Sequence, residues 1–126
     1  MAGTSDLAVL LRTMRPALHA ERYGIVVTEA AVAAFARIVE PEGTTVIATE
    51  AALAAAGVAI EQPFARISLS VHSDLAAVGL TAALAAALAG QGISANVVAG
   101  YYHDHILVPW DRRDAAMAAL RGVSDA

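Results

Sequence analysis

The chain contains no cysteine. Disulfides, thiolate zinc sites and cysteine nucleophiles are therefore excluded. Aromatic residues make up only 5% of the 126 residues, too few for the stacking platforms that single-strand nucleic-acid binders use. Positive charge is scarce too: 8 Lys and Arg stand against 12 Asp and Glu, a formal net charge of −4. No basic patch is available to displace counterions from a phosphate backbone, so nucleic acid is not an expected partner. Charged residues are 16% in all, and none occurs between Asp74 and Asp104. That stretch is not read as a membrane span. Its helical part is roughly 15 residues, short of the ~20 that crossing takes, and Gly90-Gln-Gly92 interrupts it. Met1–Leu11 carries an early Asp6 and no basic leader, so no signal peptide is expected and the cytoplasm is the expected compartment.

What the chain does have is alanine. The apolar fraction is 58%, much of it Ala, which suggests helices lying close on a flat partner. Leu7–Met14 reads as a short amphipathic helix ended by Arg15-Pro16. Tyr23–Thr28 reads as a strand and Glu29–Arg37 as a short Ala-rich helix. Ile38-Val39, Glu40-Pro-Glu-Gly43 and Thr44–Thr49 read as a hairpin, followed by a helix over Glu50–Ala56 that Gly57 stops. Gln62-Pro63 is a joint that divides the chain into residues 1–62 and 63–126.

The second half repeats the order. Ala65–Val71 reads as a strand and Leu75–Ala89 as a helix with Leu80, Leu84 and Leu88 on one face. Ile93–Tyr102 reads as a strand, His103-Asp104 as a tight turn and His105–Pro109 as the return strand. A last helix covers Asp111–Arg121, with Asp111 as its cap and Gly122 beyond its end. The chain thus spells β-α-β-β-α twice. The expected fold is α+β: two ferredoxin-like modules, each too small for its own core, sharing one antiparallel-rich sheet with the helices on one face.

The turn before the Leu80 helix offers Ser73 and Asp74 as caps and Gly79 in the first turn. Such a turn presents free N–H groups and the positive end of a helix dipole, which suits a carboxylate. It fits equally a tightly packed βα turn with Gly for steric reasons. His103 and His105 flank Asp104, and paired His at i, i+2 can bind a metal. A polar hairpin tip with Asp in the turn accounts for them more simply, and no metal or cofactor is assigned. Ser70, His72, Ser73 and Asp74 supply catalytic residue types, but neighbours on a strand alternate faces and no Gly-x-Ser-x-Gly elbow is present, so the chain is not expected to be an enzyme.

The run Ser68-Leu-Ser-Val-His-Ser-Asp-Leu-Ala-Ala-Val-Gly-Leu-Thr, continued by Gly92-Ile-Ser-Ala-Asn-Val-Val-Ala-Gly-Tyr-Tyr-His-Asp-His-Ile-Leu-Val-Pro109, resembles an ACT domain. The whole chain is similar to small stand-alone tandem ACT proteins, to the regulatory domains of aspartate kinases and to tandem-ACT arginine sensors. In the first half the resemblance rests on element order and on Glu42-Gly-Thr-Thr-Val-Ile47, so residues 1–62 form the degenerate module. The resemblance implies a regulatory module that binds an amino acid or similar small carboxylate between paired modules, in a homodimer. It implies that the ligand carboxylate meets the amides of Val78, Gly79 and Leu80, and that the ammonium group is met near Asn96. It also implies side-chain readout from Tyr101, Tyr102 and His105, although the arginine sensors carry an acidic residue where this chain has His105. Asp74 at the cap would repel a simple anion but could receive the ammonium group of a zwitterion. The alternative is a structural or protein–protein interaction module with no ligand.

Overall fold

The computed structural model describes residues 6–70 and 78–125. Their elements run α1 (Leu7–Thr13), β1 (Pro16–Val27), β2 (Ala36–Glu40), β3 (Gly43–Thr49), α2 (Glu50–Ala55), β4 (Phe64–Leu69), α3 (Leu80–Gly90), β5 (Asn96–Ala99), β6 (Asp104–Pro109) and α4 (Arg113–Asp125). A 3₁₀ turn, Trp110–Arg112, leads into α4. None of these helices is long and apolar enough to cross a membrane.

All six strands lie in one sheet, ordered β2-β3-β1-β4-β6-β5, and every neighbouring pair is antiparallel. Read four strands at a time, the order is β2-β3-β1-β4 from one edge and β5-β6-β4-β1 from the other. The same ferredoxin-like arrangement therefore occurs twice, and each copy takes its fourth strand from the other. The 12-residue β1 makes this work. Its first part pairs with β4, from Pro16↔Leu69 to Tyr23↔Phe64, and its last part pairs with β3, from Tyr23↔Thr49 to Val27↔Thr45.

The helices share one face. On β4 and β6, Ala65, Ile67, Leu69, Ile106 and Val108 point into a core with Leu80, Leu84 and Leu88 of α3, Leu120 of α4, and Leu10 and Met14 from the chain's start. Val46 and Ala48 of β3 meet Leu53 of α2 in a smaller cluster on the same side. Gly24 of β1 faces that cluster, and a Cβ there would lie 2.2 Å from Cγ2 of Ile60. The i, i+4, i+8 leucine stripe of α3 is buried throughout, as its spacing demands.

Several expected elements are corrected. Glu29–Arg37 is not a helix. Residues 28–35 cross over without one, Phe35 N–H donates to Ile47 O at 2.8 Å, and Arg37 belongs to β2. Val32 joins the α2 core while Phe35 joins Tyr23 and Ile47 in a cluster on the opposite face. Side chains three apart on a helix share a side, so a helix could not deliver both. The strand expected over Ile93–Tyr102 shortens to Asn96–Ala99, because Ile93 is buried among the helices. The turn is Gly100–His103, closed by Gly100 N–H donating to His103 O at 2.9 Å, and Asp104 already belongs to β6. Gly122 lies inside α4 rather than beyond it. α3 begins at Leu80, and Asp74, with the rest of 71–77, lies outside the described residues.

Candidate functional site

Two regions carry the residues of interest. The first is the amino end of α3. Gly79 occupies its N-cap with φ 98°, and among the described residues no capping side chain accepts from the first-turn N–H groups. Val78 beside it is 82% exposed, while Leu80 is buried. A Cβ at Gly79 would stand 2.9 Å from Cδ2 of Leu7, so α1 backs this turn directly. Backbone conformation and this contact together explain the glycine, and any side chain there strains the fold. Tyr101 and Tyr102 occupy the β5–β6 tip, each 64% exposed, with ring centroids 5.0 Å apart edge to face.

Asn96 and His105 do not join that turn. Asn96 is opposite Leu107, and Leu107 clusters with Tyr23 and Ile47 on the face without helices. Its Nδ2 donates to Leu107 O at 3.3 Å. His105 pairs with Ser68 and Val98 on the same face. The structure therefore groups Asn96 with His105, and leaves Val78–Leu80 on the helix side.

His105 is part of a polar cluster, the second region, whose other members sequence reasoning missed. Arg66 Nη1 donates to Tyr23 Oη at 3.0 Å, and Nη2 approaches His105 Nδ1 at 3.4 Å. Ser68 Oγ stands 2.7 Å from both His105 Nδ1 and His19 Nε2. Ser68 Oγ thus bridges the two rings, and its single hydroxyl proton can be given to only one of them while its oxygen accepts from the other. Phe35 caps the group, its ring centroid 3.6 Å from Arg66 Cζ and 4.8 Å from the His105 ring centroid. A β-bulge aims His19 here. Leu18 pairs with Ile67 and Arg22 with Ala65, so residues 19–21 face the single Arg66. The signal that could have revealed the cluster is the alternation of β4, where Ala65, Ile67 and Leu69 are buried and Arg66 and Ser68 fall between them.

Burial pushes the His105 pKa down to about 4, helped by the charges of Arg66, His103 and His19. Burial and Arg66 also lower His19, with Glu21 opposing. Both rings are then neutral near pH 7 and weak as bases, which suits hydrogen bonding better than proton abstraction. Between pH 6.5 and about 4 the unfolded chain takes up a proton that folded His105 refuses. Stability is thus full above 6.5 and falls as pH drops, by roughly 1–2 kcal/mol once solvent screening of a half-exposed ring is allowed for. Asp104, raised by burial against the charge of His103, works in the opposite sense. Urea midpoints measured down this range should fall, and should fall less for His105→Gln; identical slopes would refute the assignment. Among the described residues, no three His, Asp or Glu are placed to hold a metal.

The comparisons agree with this architecture. An ACT-domain family profile matches residues 59–122 and another matches residues 2–65. A protein of unknown function from Vibrio cholerae, described as a "possible transport protein", is 40% identical over 95% of this chain and 97% of its own, with a TM-score of 0.83. The ligand-free regulatory subunit of aspartate kinase from Thermus thermophilus is 14% identical, with 86% of this chain and 95% of that one covered and a TM-score of 0.63. An Agrobacterium tumefaciens protein is 15% identical over 88% and 89%, with a TM-score of 0.62. The last two likenesses concern the fold alone. No curated protein matches the chain.

Proposed function

The chain belongs to the ACT-domain family, and from that premise we propose that it is a non-catalytic regulatory module whose ligand is an amino acid. Its two halves, residues 1–62 and 63–126, act as one unit in a cytoplasmic homodimer. The observation that carries this reading is the amino end of α3, where Gly79 at the N-cap leaves the first-turn amides without a side-chain acceptor among the described residues. A ligand carboxylate fits those donors at Val78, Gly79 and Leu80. Asp74 receives the ammonium group, and Tyr101 and Tyr102 read the side chain from the exposed tip. The first half has no helix between β1 and β2, so it offers no equivalent seat and the site belongs to the second half. The homodimer is supported by the β2 edge, where Val39 is 85% and Ile38 47% exposed on a strand that pairs with β3 on one side and is open on the other among the described residues.

The test is a thermal-shift panel of the standard amino acids. A ligand at a hundred times its Kd adds about 2.7 kcal/mol of stability. One amino acid, or a chemically related few, should raise the melting temperature by several degrees, and Asp74→Asn should abolish the rise. No shift with any member at millimolar concentration would favour the interaction module without a ligand.

A further inference from the structure

Arg66 occupies the middle of the helix-free face, and among the described residues no carboxylate is bonded to it. A guanidinium has five N–H donors. Here its hydrogen-bond acceptors are two neutral groups, the Tyr23 hydroxyl and the His105 ring. Its Nε is buried without a partner. Among the described residues no carboxylate forms an ion pair with it; Glu21, the acid that acts on neighbouring His19, lies exposed on β1. A half-buried cation held by a phenol, an imidazole and a stacked ring is rigid, pre-oriented and electrostatically unsatisfied. The bulge that sets residues 19–21 of β1 opposite Arg66, and brings His19 to Ser68, is a further sign of a built position.

The surroundings fit a particular kind of anion. Phe64 is two residues before Arg66 on β4, roughly 7 Å away on the same face. With Ile25 and Asn96 it lines a groove at the end of the sheet, of about 570 Å3, rimmed by Glu61 and Gln62. Leu107 of β6 pairs with both Arg66 and Asn96, so the groove's Asn96 and the cluster's Arg66 stand on either side of it on the same face of the sheet.

We propose that Arg66 anchors a second ligand site, distinct from the α3 turn, that takes a small organic monocarboxylate with an apolar or aromatic body. The carboxylate accepts from the unclaimed N–H groups of the guanidinium, and the body lies over Phe64 and Ile25. Glu61 on the far rim disfavours a second carboxylate at the other end of the ligand.

Benzoate is the probe, with benzamide as its neutral counterpart and inorganic phosphate and glutarate as anions lacking the apolar body or carrying a second charge. Titration of the isotope-labelled full chain should give saturable NMR shifts at the amides of Arg66, Tyr23 and His105, with those of Val78–Leu80 unmoved. Benzamide, phosphate and glutarate should each bind about tenfold more weakly or worse, and Arg66→Lys, which keeps the charge but loses the fork, should weaken benzoate by at least as much. Should Arg66→Lys fail to fold, the wild-type contrast of benzoate with benzamide decides the matter. The proposal is overturned if benzoate at tens of millimolar leaves those amides unmoved, or if benzamide shifts them equally. It is also overturned if only Val78–Leu80 respond, an outcome that leaves the α3 reading intact.

Discussion

Placing valine at Gly24 is expected to remove a large share of the fold's stability. A Cβ at that position would stand 2.2 Å from Ile60 Cγ2 and 2.8 Å from Leu53 Cδ1. Ile60 Cγ2 belongs to a β-branched side chain, so clearing it means moving the chain after α2. That chain is tied down: Val58 N–H donates to Leu53 O at 2.9 Å. Leu53 is fully buried and is the main bulk of a small cluster with Val32, Val46 and Ala48. Inserting methylenes into a packed core costs about 1–3 kcal/mol, and more when the backbone must give way. Against a typical stability of roughly 5–15 kcal/mol that is a large share. The urea midpoint should drop sharply for Gly24→Val and measurably for Gly24→Ala. An unchanged midpoint for both would mean that the close approach of α2 to β1 is not as described.

Leu84→Ala should cost about 2–5 kcal/mol, the range for emptying a buried leucine site that cannot collapse. The helix around it explains why collapse fails. Ala82, Ala83, Ala85, Ala86 and Ala87 are too short to swing into the void, and Leu80, Leu84 and Leu88 supply the bulk between α3 and the strands. The readout is again the urea midpoint, with Leu84→Met as the volume-conserving control that should retain most stability. A loss below about 1 kcal/mol for Leu84→Ala would mean that α3 is not seated by its leucines.

The leucine stripe was legible because one periodicity and one buried face coincide along α3. The β2–β3 hairpin was legible through Glu40-Pro-Glu-Gly43, and Gly43 indeed has φ 148°. The crossover at 28–35 was not. Its alanines favour a helix locally, but Val32 and Phe35 are claimed by opposite faces of the sheet, and that demand exists only in three dimensions. The start of β1 was hidden for a related reason: the bulge at His19–Glu21 breaks the alternation that marks a strand. The same bulge hid the Arg66 cluster, since its members come from β1, β4, β6 and the crossover. Of these, His105 alone stood in a recognisable motif. Gly79 could be singled out in the sequence, but its contact with Leu7 joins residues from opposite halves of the chain.

The lending of β1 and β4 between the two halves has a consequence for heredity. A module that completes its own sheet can be copied, moved or fused as a cassette. Here neither half can, because β1 closes the sheet of the second and β4 closes that of the first. The chain's ends are tied as well, with Ser124 Oγ donating to Met14 O across 110 positions. Recombination that separates the halves leaves each with an open edge where its borrowed strand belonged. The pair therefore travels whole, although the halves differ: the first connects β1 to β2 without a helix where the second carries α3.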